Sequence, residues 1–168
     1  FDNWRIGEFV DTSFGCYGQD FGFSIDPTTL IQVSINKSLK TIYAKELLYK
    51  PSLTTTDIYN ENVRYCGNHG LIIADSAEPR LISELRSRGL NIRKIDKPKI
   101  TDRIALVQDY ELIVDQSSTN LIKELNNYVW HDRKSETPID DYNHLLDALG
   151  YAVWSLIGKA NKGEYNVY

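Results

Sequence analysis

The chain has 168 residues, 42% hydrophobic and 25% charged, with a formal net charge of −4. That length holds one domain with a sizeable core, and the composition excludes a disordered tail, a collagen-like fibre and a disulfide scaffold. The longest apolar runs, such as Leu71–Ala74, fall far short of the roughly 20 residues a membrane helix needs. The start, Phe1-Asp2-Asn3-Trp4-Arg5, has no apolar signal core and the chain has no Met, so it reads as a piece cut from a longer protein or a processed product. Phe14–Ser24 reads as a first strand and Asp26-Pro27 as a turn. Thr29–Ile35 is a second strand, Lys37–Lys40 a polar hairpin link, and Thr41–Leu48 a third strand.

Thr54-Thr55-Thr56-Asp57 offers N-cap residues for a helix to about Tyr65, closed by Gly67 and Gly70. Leu71–Asp75 is a continuous apolar run, the mark of a strand buried on both faces. Ser76 is placed to cap a helix over Pro79–Arg88 that stops at Gly89. Asn91–Ile95 is a strand, Thr101–Asp109 a helix, Glu111–Asp115 a short strand, and Ser117–Val129 a helix. After a charged loop, Thr137-Pro138 opens a last helix running to about Leu156. Three strands in meander followed by alternating helices and strands predict an α/β fold. Its central mixed sheet has five or six strands, the first three antiparallel, with helices on both faces.

Charge is unevenly spread. From Arg86 to Arg103 seven basic residues face Asp96 and Asp102, a net +5 on an otherwise acidic chain, which suits phosphate binding. The cysteines, Cys16 and Cys66, lack C-x-x-C spacing, so a zinc ribbon or a redox motif is not expected.

Three aspartates interrupt apolar elements. Asp20 shares a strand face with Cys16, Gly18 and Gly22, all small. Either that face is cleared for a metal ion or a nucleic-acid backbone, or the glycines mark bulges beside a solvated Asp20. Asp75 ends a buried strand, where open α/β sheets place ligands, although for Asp75 taken alone a helix cap at Asp75 or Ser76 is the simpler explanation. In the last helix, Asp140, His144 and Asp147 form a stripe at i, i+4 and i+7 beside the apolar stripe Leu145, Leu149, Ala152 and Leu156. Asp140 and Asp141 fit the first turn, where negative charge suits the helix dipole. Asp147 is expected two turns further in, too deep for a cap, and among leucines an Asp is costly unless paired or metal-bound. A carboxylate cluster from two strands and a helix suits two Mg²⁺ or Mn²⁺ ions and phosphodiester hydrolysis.

Gly18-Gln19-Asp20-Phe21-Gly22-Phe23 with Asp26-Pro27, then Ile73-Ala74-Asp75-Ser76-Ala77-Glu78-Pro79, then Asp141-Tyr142-Asn143-His144-Leu145-Leu146-Asp147-Ala148-Leu149-Gly150-Tyr151-Ala152 resemble, in order, three motifs of the nuclease domain of phage terminase large subunits. The resemblance runs from about Val10 to Val153 and implies an RNase H-like fold that cuts concatemeric viral DNA with two divalent cations. It implies Asp20, Asp75 and Asp147 as catalytic metal ligands, His144 as a further catalytic residue, and Asp26 as an added ligand, for which a plain Asp-Pro turn is the competing explanation. Arg80, Lys97, Lys99 and Arg103 are expected to contact double-stranded DNA, the competing reading of Lys97 and Lys99 being an ordinary solvated loop. The resemblance makes residues 1–10 the end of a linker from an ATPase domain and 11–168 the nuclease domain. No G-x-x-x-x-G-K-[ST] occurs, so no ATPase chemistry is expected. Portal protein and terminase small subunit are the implied partners, the bacterial host cytoplasm the implied location, and the isolated domain is expected to be monomeric. Two other readings share some of these features: a Holliday-junction resolvase or transposase core, and a metal-free DNA-binding or portal-docking module.

Overall fold

A computed structural model of the chain describes residues 1–96, 98–128 and 143–158. The strands are β1 (Trp4–Gly7), β2 (Gly15–Asp20), β3 (Pro27–Asn36), β4 (Thr41–Pro51), β5 (Ile72–Asp75), β6 (Ile92–Ile95) and β7 (Glu111–Asp115). The helices are α1 (Thr55–Cys66), α2 (Pro79–Ser87), α3 (Ile100–Gln108), α4 (Thr119–Asn127) and α5 (His144–Ile157).

One mixed sheet of seven strands runs in the order β1-β7-β4-β3-β2-β5-β6. The meander β2-β3-β4 is antiparallel as expected, and β5, β6, β7 and β1 join it by parallel pairing. The Lys37–Lys40 link turns tightly: Asn36 Oδ1 accepts the Leu39 N–H at 3.1 Å. The strand beyond the expected count is β1. Residues 4–7, expected at the end of a linker, form an edge strand on β7, where the Leu112 N–H donates to the Asn3 carbonyl at 2.9 Å. Only non-local pairing makes this strand, and four residues, exposed in the middle, are too short a run to announce it.

Side chains alternate between two cores. Ile72 and Ala74 join Leu30, Leu48 and Ile92 under α1 and α2. Cys16, Ile31, Val33, Ile73 and Val114 join the other core, under α3, α4 and α5. On the α1 side, Gln19 and Asn62 are both fully buried and satisfy each other by reciprocal amide hydrogen bonds of 2.9 and 2.7 Å.

Thr54 caps α1 in a complete capping box with Asp57. Ser76 does not cap α2: Glu78 stands at the N-cap without a side-chain hydrogen bond, and Pro79 sets the first turn. Asp75 shapes the turn before it by accepting the Ala77 N–H at 2.9 Å, so a local role for this carboxylate coexists with its place at a strand end. The last helix differs most. It begins at His144 with Asn143 as N-cap, so Asp147 lies in its first turn rather than two turns in. Thr137, Pro138, Asp140 and Asp141 lie outside the described residues.

Candidate metal centre

Gln19 pairs with Ala74 in the parallel register of β2 and β5, so the next residues, Asp20 and Asp75, stand side by side at the C-terminal ends of both strands. Alternation turns both toward α5, since Gly18 and Ile73 face that helix. The first turn of α5 is fixed over the same end. Thr29, paired with Asp20 across β2 and β3, donates its hydroxyl to the His144 carbonyl at 3.3 Å. His144 Nδ1 then lies 3.7 Å from Asp20 Oδ2. The Asp20 carboxylate raises the His144 pKa above its ordinary 6.5 against the effect of partial burial, and the charges of Glu124 and Asp26 add to the rise.

Asp147, half-buried, sits 3.5 Å from Nη1 of Arg103, a residue only 7% exposed. Sequence reasoning placed Arg103 on the DNA-contacting surface. The structure puts it inside, between α3 and α5, with its guanidinium 4.8 Å from the centroid of the Tyr151 ring. Tyr151 is the common neighbour of the acidic residues: burial raises its pKa, and the charges of Asp147, Asp20 and Asp75 all push it the same way while Arg103 opposes.

The placing of α5 depends on two glutamates the sequence reading passed over. Glu124 of α4, 1% exposed, accepts the Leu145 N–H at 2.9 and 3.0 Å and the Leu146 N–H at 2.9 Å. It does for α5 what the Asn143 side chain does not. Burial pushes its pKa up to about 7, although the two N–H groups favour the charged form. Glu46 of β4 repeats the device one helix earlier. It accepts the Asn120 and Leu121 N–H groups at 2.9 and 3.0 Å, and its own N–H donates to Ser118 Oγ at 2.9 Å. A carboxylate between Leu121 and Leu125 on the buried face of α4 is the kind of interruption that drew attention to Asp147, and it was there to be read.

The remaining predicted residues scatter. Asp26 is exposed in the turn after β2, near enough to add to the His144 shift. Arg80 is exposed in the first turn of α2 and Lys99 is exposed at the start of α3, so both follow strands β5 and β6 on the carboxylate edge. Lys97 lies outside the described residues.

Among the described residues no three His, Cys, Asp or Glu side chains form a ready-made cage for a metal ion. The donor chemistry is nonetheless that of a hard divalent cation: Asp20 and Asp75 offer carboxylates at the ends of paired strands, and Asp147 another in the first turn of α5.

The family described as Terminase RNAseH like domain matches residues 20–154. The large terminase subunit of Bacillus phage SPP1 is 31% identical over 148 residues, covering 80% of this chain and 34% of that protein. The large subunit of Escherichia phage T5 is 28% identical over 153 residues, covering 83% of this chain and 34% of that protein. The chain thus spans about a third of the length of the curated relatives it matches. The crystal structure of the large terminase nuclease domain of bacteriophage SPP1 with bound Mn superposes with a TM-score of 0.77 at 25% identity, covering 90% of this chain and 96% of that one. With the sheet order, the paired strand-end aspartates and the matched span together, the chain belongs to the terminase RNase H-like domain family.

Proposed function

We propose that this chain is the metal-dependent endonuclease domain of a DNA-packaging terminase large subunit, cutting concatemeric double-stranded DNA at the start and end of packaging. The observation that supports the reading is the side-by-side placing of Asp20 and Asp75 at two parallel strand ends, with His144 of α5 3.7 Å from Asp20. The SPP1 nuclease domain, solved with bound Mn, supports it.

Asp20, Asp75 and Asp147 hold two divalent cations, Mg²⁺ or Mn²⁺, in this reading; when bound, these supply Lewis acidity at the scissile phosphate and activate water near neutral pH. Asp26, exposed in the turn after β2, is an added ligand in this reading. In the metal-free domain His144 keeps its proton further toward neutral pH because Asp20 faces it, and that charge helps hold Asp20 in place. Arg80, Lys97 and Lys99 meet phosphates of the duplex, whose sequence no motif in the chain is built to read. An ATPase domain joined before residue 11, the portal protein, the terminase small subunit and the bacterial host cytoplasm complete the proposal, with the isolated domain a monomer. Among the described residues no helix is long and apolar enough to cross a membrane.

Supercoiled plasmid incubated with the domain and Mn²⁺ tests this. Nicked, then linear, then smeared DNA is expected, and EDTA or Asp75→Asn should abolish it. Cleavage that persists in EDTA would overturn the metal-dependent reading.

A further inference from the structure

Asp147 is accompanied by a cation that the chain itself supplies. Arg103 reaches it from α3 with Nη1 at 3.5 Å from Oδ1. The guanidinium lies on the Tyr151 ring, and its stem passes Gly150, where a Cβ would stand 3.4 Å from Cδ and Nη1. Arg103 Nε is buried and has no hydrogen-bond partner among the described residues. A buried ion pair is a poor device for stability alone, because desolvation offsets most of the attraction and an apolar residue of similar volume does as well. An Arg left partly unsatisfied is poorer still. Its surroundings are explained by what it does to Asp147.

We propose that Arg103 is a positioning residue of the metal centre, the resident counter-cation of Asp147 that keeps this carboxylate in place and limits how tightly its side of the site holds a divalent ion. The inference rests on the metal-dependent reading above. A fixed unit charge and a divalent ion on two sides of one carboxylate, on the order of 6 Å apart, repel enough even at the dielectric of bulk water to weaken binding about tenfold. Tyr151 holds the guanidinium by its face, so the charge stays fixed instead of swinging into solvent.

The test is Mn²⁺ titration calorimetry on the metal-free domain, with thermal melts in EDTA. Arg103→Gln is expected to bind Mn²⁺ about tenfold more tightly than wild type while melting lower in EDTA, and Arg103→Lys, which keeps the charge, to bind within about threefold of wild type. Arg103→Met, whose stem still packs on Tyr151, is the second neutral variant should Arg103→Gln fail to fold, with the same tightening expected. A folded neutral variant that binds Mn²⁺ no more tightly than wild type, or a lysine variant that tightens as much as the neutral ones, overturns the proposal and leaves the metal reading standing. If neither neutral variant folds, a lysine variant outside that threefold range overturns it and one inside supports it. A wild type that binds no Mn²⁺ overturns the metal reading and this inference with it.

Discussion

Gly18 of β2 lies beneath the carbonyl of Ala148 of α5 so closely that a Cβ on Gly18 would stand 1.9 Å from that oxygen. At Gly18 this strand face is kept small to admit a helix backbone. The consequence for the site is indirect: only because α5 sits this low does its first turn reach Asp20. Backbone is what a new methyl would meet, so neither partner can rotate away. Gly18→Ala is expected to destabilise the fold by about 3 kcal/mol or more, beyond the usual cost of an extra core methylene. Urea unfolding measures it, and a loss below about 1 kcal/mol would show that α5 shifts freely on the sheet.

Glu124 makes stability depend on pH in a definite direction. Its folded pKa is about 7, above the ordinary 4.5, so between those values the native state holds a proton that the unfolded chain has lost. Its contribution is fully present below about pH 4.5 and is lost as pH rises through about 7. Glu124→Gln mimics the protonated form at every pH. Thermal melts should show wild type losing stability across this window, by on the order of 3 kcal/mol from this group, and the variant losing much less. Parallel curves would mean that the carboxylate stays ionised throughout.

Of the fold, the sequence announced the elements whose own residues specify them. Thr54 and Asp57 name a helix start, and Leu71–Ala74 names a strand buried on both sides. What it did not announce was made by partners far along the chain. β1 exists through β7, and the start of α5 at His144 is held by Glu124, far back along the chain. The same division holds at the site. Asp20, Asp75 and Asp147 stood out as polar interruptions of apolar patterns, His144 only as a neighbour of Asp147 and through the family resemblance, and the fold sets Asp20 and Asp75 at neighbouring strand ends with His144 beside Asp20. Arg103 looked like a surface cation because its basic neighbours masked it; nothing local says that Tyr151 and Asp147 enclose it.

The pairing of His144 with Asp20 also titrates. The raised pKa means that its stabilisation is fully present below pH 6.5 and is lost as pH rises through the folded value. Asp20→Asn removes the partner and should return the imidazole toward 6.5 in an NMR titration of the metal-free domain. Half-buried as the pair is, the variant should be less stable than wild type by under about 1 kcal/mol at pH 6, a gap that closes as pH rises through the folded value. An unchanged His144 titration would separate the two residues.

Arg80 and Lys99 follow β5 and β6 at the carboxylate edge, both exposed. Arg80→Ala with Lys99→Ala should weaken binding to duplexes of any sequence alike and reduce the slope of log affinity against log salt by roughly two. Fluorescence anisotropy across a salt series reads both effects, and an unchanged slope would put the DNA on another face.

The central claim is that Asp20, Asp75 and Asp147 form one divalent-cation site, and anomalous diffraction from crystals soaked in Mn²⁺ tests it most directly. The account predicts anomalous density at the C-terminal ends of β2 and β5, within coordination distance of Asp20 and Asp75 and with Asp147 on its far side, absent from crystals of Asp20→Asn. No density there at saturating Mn²⁺, or density held by other residues, would contradict it.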